Sequence, residues 1–161
     1  MRTVRNRTRS VLILVISLAG VSAIALLQSA AALAVDTMTS RDAPDLTSVR
    51  TKIKAKDFQA ALAELKVLAD THQHADVYSL MGFSLRKTGD YSTALTFYKK
   101  ALDFDADHKG AHEYLGELYV ETGNLPKARE QLAVLMKLCP QGCEEREDLE
   151  KALASAAPKA N

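Results

Sequence analysis

Hydrophobic residues are distributed along this chain in two ways. From Val11 to Leu27 they form a run without a charge, and the uncharged stretch continues to Val35. From Asp45 onward, apolar and polar residues interleave in blocks separated by short turn signals. Gly89-Asp90 and Gly123-Asn124 are two of those turns. Each Gly suits a left-handed helix stop, and each Asp or Asn suits the start of the next helix. Pro126 falls in a first helical turn, where its missing N–H does no harm. Near the end, Leu149 and Leu153 stand four apart with Ala152 and Ala156 alongside, the spacing of one more helix. The pattern predicts helices over 46–55, 58–70, 76–88, 92–104, 109–122, 126–138 and 143–155.

A repeat organises these helices. The windows Ala75–His108 and Lys109–Gly142, 34 residues each, align without a gap and share Gly82/Gly116, Thr88/Thr122, Gly89/Gly123 and Ala94/Ala128. Gly in mid-helix costs about 1 kcal/mol relative to Ala. Gly82 and Gly116 therefore imply that another helix comes close, with Ala94 and Ala128 expected to face them. A weaker copy lies upstream over 45–74. Lys56-Asp57-Phe58, Ala61 and Leu65 repeat the turn and the start of a second helix, with one residue lost. There Lys56 stands for the turn Gly and Ser48 for the mid-helix Gly, and Asp45 after Pro44 is the expected N-cap.

On these residues the chain resembles the tetratricopeptide repeat family, whose repeat is a 34-residue helix–turn–helix. Tyr78, Met81, Gly82, Leu85, Gly89, Tyr91, Ala94, Tyr98 and Ala101 fall on the family's signature positions in the first full repeat. Leu115, Gly116, Tyr119, Gly123, Ala128, Leu132 and Pro140 do so in the second. His112, Leu125, Leu135 and Ala106 depart from the residues the family prefers. The resemblance implies an all-α fold, a short α-solenoid over 45–156. It comprises the degenerate repeat 45–74, the repeats 75–108 and 109–142, and a capping helix 143–156. Glu144, Glu145, Glu147 and Asp148 load the start of that helix, as its dipole favours.

The segment 1–34 reads as a targeting signal. Arg2, Arg5, Arg7 and Arg9 precede the apolar run, and Ala32-Leu33-Ala34 supplies a small-x-small cut site. An uncleaved anchor is the alternative, since 25 uncharged residues can span a bilayer. Either way the remainder is expected to be exported, to a periplasm, with secretion or anchoring as variants. Residues 35–44 read as a linker and 157–161 as a tail. Removing the four Arg from 21 basic residues leaves 17 against 20 acidic ones, a formal charge of −3. That charge carries no basic stripe for nucleic acid.

Cys139 and Cys143 bracket a Pro-Gly turn, and in an exported protein the first reading is a disulfide clipping the cap to the stack. A thiol- or copper-handling pair is the alternative. His108 and His112 are four apart, but His112 sits on a packing position and His108 in a turn, and His72-Gln73-His74 reads as a solvated connector. No nucleophile elbow, phosphate loop or metalloprotease helix is present. The expectation is a non-catalytic protein without cofactor or metal.

The family lines its concave face with the first helix of each pair. Carried onto this chain, the groove positions are Asp76, Ser79, Phe83, Arg86 and Lys87, then Gly110, Glu113, Glu117, Val120 and Glu121, with Arg50 and Lys54 upstream. The partner-binding set is Ser79, Phe83, Arg86, Lys87, Glu113, Glu117 and Glu121. Phe83 is the candidate anchor, and the three Glu form an acidic ridge. One reading is a solvated face with Arg86 and Lys87 as ion-pair partners. The other is a mixed-charge groove for a peptide bearing basic residues. The family's clamp on a C-terminal carboxylate is not supported, because Ser79, Phe83 and Tyr114 occupy its Lys and Asn positions. A protein or peptide partner is expected; a structural module pairing with its own copy is a further alternative.

Overall fold

A computed structural model describes residues 43–156. They form seven helices: α1 (Thr47–Lys54), α2 (Phe58–Thr71), α3 (Ala75–Lys87), α4 (Tyr91–Phe104), α5 (Lys109–Glu121), α6 (Leu125–Leu138) and α7 (Glu144–Ala156). No strand occurs among the described residues. Every predicted helix is present, with no boundary displaced by more than one residue. The expected signal over 1–34, residues 35–42 of the linker and the tail 157–161 lie outside the described residues. None of the described helices is long and apolar enough to cross a membrane.

Local chemistry sets the helix ends. Asp57, Asp90 and Asn124 cap α2, α4 and α6, their side chains accepting from the N–H of Ala60, Thr93 and Lys127 at 3.1, 3.1 and 3.3 Å. Gly89 and Gly123 hold the preceding turns at φ 89° and 77°. Lys56 holds the matching turn of the degenerate repeat at φ 60°, a conformation that costs a residue with a Cβ about 1–2 kcal/mol. The caps of α3 and α5 are histidines. Nδ1 of His74 accepts from Asp76 N–H at 3.2 Å, and Nδ1 of His108 from Ala111 N–H at 3.0 Å. His74 is thus a helix cap and not a free connector. Asp45 accepts from Thr47 N–H at 2.9 Å, but Leu46 occupies the cap position of α1, so the expected Asp45 cap is displaced by one residue.

Consecutive helices pack as antiparallel hairpins: α1 with α2, α3 with α4 and α5 with α6. Each hairpin meets the next, α2 against α3, α4 against α5, and α6 against α7. The first helices also touch along the stack, α3 with α5 and α5 with α7. Ala61, Ala94 and Ala128, one from each second helix, are fully buried. Leu65, Leu135 and Leu149 are fully buried too, each worth about 1.5–3 kcal/mol of apolar transfer.

Two packing expectations need correction. Gly82 and Gly116 do make room, but for large side chains instead of Ala94 and Ala128. A Cβ on Gly82 would meet the Tyr98 ring at 2.6 Å, and one on Gly116 would meet Leu149 Cδ1 at 2.7 Å. Ser48 is not the counterpart of those glycines. It is exposed and hydrogen-bonds to Glu64 at 3.0 Å, while Val49, one residue on, is fully buried. The residue lost from this repeat falls after α2, between Thr71 and Ala75, so Val49 and not Ser48 stands in register with Gly82.

At the far end of the stack α7 occupies the place of a further first helix. Its Leu149 fills the notch at Gly116, and Glu144, Glu145 and Glu147 face its N-terminal dipole. Gly142 turns the chain into it at φ 100°. The Cα atoms of Cys139 and Cys143 stand 6.0 Å apart across that turn, within bridging range.

Candidate functional site: a cleft along the first helices

The helices α1, α3, α5 and α7 line a cleft of about 490 Å³. Ser79, Phe83, Lys87, Glu113 and Glu117 border it, as do Arg50, Asp76 and Gly110. Arg86, Val120, Glu121 and Lys54 are not part of its lining. Sequence reasoning missed Leu80 and left His108 in a turn, whereas Tyr114, placed on a clamp position, does border the cleft. It also missed Glu144, Glu145 and Asp148, which α7 brings to the same cleft. The acidic start of α7 was legible as helix-dipole chemistry; that it faces α5 was not.

Arg86 shows why charge at a predicted groove position is not the same as available charge. Its side chain is 1% exposed. Its two terminal nitrogens donate to Glu117 and Glu121, and Nε donates to the Tyr98 hydroxyl at 3.3 Å. The guanidinium carbon lies 5.4 Å from the centre of the Phe83 ring. Desolvation works against its charge, but Tyr98, Glu117 and Glu121 outweigh it and hold the guanidinium above its ordinary pKa. Arg86 and Glu121 therefore tie α3 to α5, a buried guanidinium held by a carboxylate that keeps about a third of its exposure (35%).

Phe83 is half-buried and belongs to an aromatic column. It packs edge-on to Phe58 of α2 with centroids 6.2 Å apart and lies 4.8 Å from Tyr114 of α5. Lys87 places its ammonium 5.2 Å from the Phe83 ring. The anchor predicted from sequence borders the cleft, but it also carries core contact.

Glu113 is the most deeply buried acid of the cleft lining. It is 8% exposed, and among the described residues its carboxyl has no hydrogen-bond or ion-pair partner. Burial, with Glu117, Asp148 and Glu145 adding repulsion, pushes its pKa up to about 8 against a smaller pull from Arg86. Burial likewise pushes neighbouring Tyr114 up to about 12. Ser79 is 1% exposed, and its Oγ has no hydrogen-bond partner among the described residues.

At the other end of the cleft the acid is satisfied. Asp76 Oδ1 accepts from His108 Nε2 at 3.1 Å, and Arg50 lies 3.9 Å away. The His108 hydrogen bond outweighs desolvation and holds the Asp76 carboxyl below its usual range. The same bond raises His108. His112 lies outside the cleft, with Nδ1 2.7 Å from Gln131 Oε1 and Nε2 2.9 Å from the Ala106 carbonyl. Both its ring nitrogens are used in packing. Among the described residues no group of three His, Cys, Asp or Glu is gathered as a metal ion requires.

Comparison with known proteins finds a repeat-family match over part of the chain and a likeness of fold. A tetratricopeptide repeat family model matches residues 85–142. No curated protein sequence matches the chain. Among solved structures, the type III secretion translocator chaperone SycD of Yersinia enterocolitica superposes with a TM-score of 0.59 at 15% identity, over 68% of this chain and 83% of its own. The complex of PcrH with the chaperone binding region of PopB gives a TM-score of 0.57 at 17% identity, over 73% of this chain and 100% of the matched one. At these identities the likeness is one of fold.

Proposed function

We propose that this chain, which a tetratricopeptide repeat family model matches over residues 85–142, is an exported, non-catalytic interaction module that holds a protein or peptide in the cleft along α1, α3, α5 and α7. One observation carries the reading. The first helix of each repeat and the capping helix converge on a single concave lining that combines a half-buried aromatic, exposed Lys87 and a set of carboxylates. PcrH, of similar fold, is described in complex with a segment of another protein, which supports a peptide-sized occupant. The basic, apolar and small-residue order of 1–34 supports export, and Cys139 and Cys143 are read as the disulfide that holds α7 to α6.

Site-specific photocrosslinking tests this in intact cells. A benzoylphenylalanine at Lys87, on the cleft, is expected to capture one defined protein. The same group at Lys99, exposed on α4 and off the cleft, is expected to capture none. Equal capture from both positions, or none from Lys87, overturns the cleft as the binding face. Export is tested separately by whether a phosphatase fused after Asn161 is active only outside the cytoplasm.

A further inference from the structure

The cleft is lined by a largely buried residue, Glu113, whose carboxyl has no internal cation paired with it among the described residues. Glu113 is 8% exposed, and its carboxyl makes no hydrogen bond or ion pair among the described residues. The nearby cations are committed elsewhere. Arg86 uses all three of its nitrogens on Glu117, Glu121 and Tyr98. Arg50 stands at Asp76 on α1's side of the cleft, and Lys87 lies over the Phe83 ring. From α7, Glu145 and Asp148 face Glu113 and add to its isolation. Ser79 of α3 also lines the cleft, and its buried Oγ has no hydrogen-bond partner among the described residues. Phe83 and Tyr114, with ring centres 4.8 Å apart, form an adjoining apolar wall.

We propose that the cleft receives a lysine or arginine side chain of the bound peptide, with its charged head on Glu113 and its aliphatic stem against Phe83 and Tyr114. This rests on the reading of the cleft as the binding face and names the chemistry of its occupant. Long basic side chains bury their stems on apolar and aromatic surface and keep the head for a carboxylate. A buried carboxylate is costly until a cation pairs with it. A metal ion fits less well, since no three metal-ligating side chains are gathered among the described residues. Glu113 is largely protonated at neutral pH in the free protein, so accepting a cation ionises it and releases a proton. The charged and titratable groups around it are Asp76, Arg86 and Lys87 from α3, Tyr114 and Glu117 from α5 with His108 at its cap, Glu144, Glu145 and Asp148 from α7, and Arg50 from α1.

Fluorescence anisotropy with the full chain tests this, using two labelled twelve-residue probes, one alternating Leu and Lys and one alternating Leu and Ser. The Lys probe is expected to bind at least about tenfold more tightly at pH 8.5, and its advantage to shrink by up to about tenfold per pH unit below the pKa of Glu113. Glu113→Gln is expected to remove both the advantage and its pH slope. Asp148→Asn is expected to weaken binding only at low salt and to keep the slope, because exposed charges are screened. Calorimetry of the wild type in two buffers of different ionisation enthalpy reads proton release directly and needs no variant. Equal binding of the two probes, no proton release at pH 7, or an unchanged slope in Glu113→Gln overturns the inference. If both probes bind equally, the cleft still binds peptides; if neither binds and Lys87 captures nothing, the cleft reading falls with it.

Discussion

Leu149 of α7 sits in a notch that exists only because residue 116 of α5 is Gly: a Cβ there would lie 2.7 Å from Leu149 Cδ1. Leu149 is fully buried. This one fit seats the terminal helix and so brings its carboxylates to the cleft. Gly116→Ala is expected to destabilise by about 1–3 kcal/mol through overpacking, and Leu149→Ala by about 2–5 kcal/mol through lost burial and a cavity. The pair should be non-additive, the double variant being more stable than the two single losses summed. Urea unfolding of the four proteins measures the coupling.

Arg86 is the second such joint. Arg86→Ala strands Glu117, Glu121 and the Tyr98 hydroxyl, and is expected to cost about 3–5 kcal/mol. Arg86→Met, which fills the space without the charge, should recover a substantial part of that loss. Glu121→Gln should cost only about 1 kcal/mol, because Glu117 still meets the guanidinium. Thermal denaturation of the three variants orders them.

Lys56→Gly is expected to stabilise the chain by up to about 1 kcal/mol. The turn's positive φ of 60° favours Gly in the folded state, although Gly also frees the unfolded chain. Gly89→Ala should do the opposite at φ 89°. Opposite shifts in the urea midpoint check this.

The Asp76–His108 pair sets a pH window. Asp76 is depressed, so its contribution is present above its unfolded pKa of about 4 and lost as pH falls through its lower folded value. His108 is raised, so its contribution is present below about 6.5 and lost as pH rises through its higher folded value. Asp76→Asn should therefore cost most between about pH 4 and 6.5. Glu113 runs the other way. Its proton is held in the fold up to about 8, so it costs stability increasingly as pH rises from about 4.3. Glu113→Gln should raise the melting temperature at pH 8 by a few degrees, roughly 3–6 °C, and leave it unchanged at pH 4. Melting curves across pH separate the two carboxylates.

If Cys139 and Cys143 are joined as proposed, replacing both with Ser should cost about 2 kcal/mol for so short a loop. The loss should match that of adding reductant to the wild type. Thiol labelling before and after reduction checks it.

What the sequence alone determined is what neighbours in the chain decide. Asp57, Asp90 and Asn124 cap the N–H groups three residues on, and Gly89 and Gly123 release the preceding helix. Every described helix was therefore legible, and so was the 34-residue period that pairs them. The first-helix cleft was an expectation from the family resemblance, and Phe83, Lys87, Glu113 and Glu117 border a cleft there. Tertiary structure alone decided what fills each glycine notch, that Val49 and not Ser48 enters the core, and that α7 closes the cleft with acid. It also decided that Arg86 is spent inside the stack while Glu113, eight residues before Glu121 on the same ridge, is left without a cation. The reason is physical. Capping and turn strain depend on residues a few positions apart, whereas burial and charge pairing depend on side chains from helices more than thirty residues away, as Arg86 and Glu121 are.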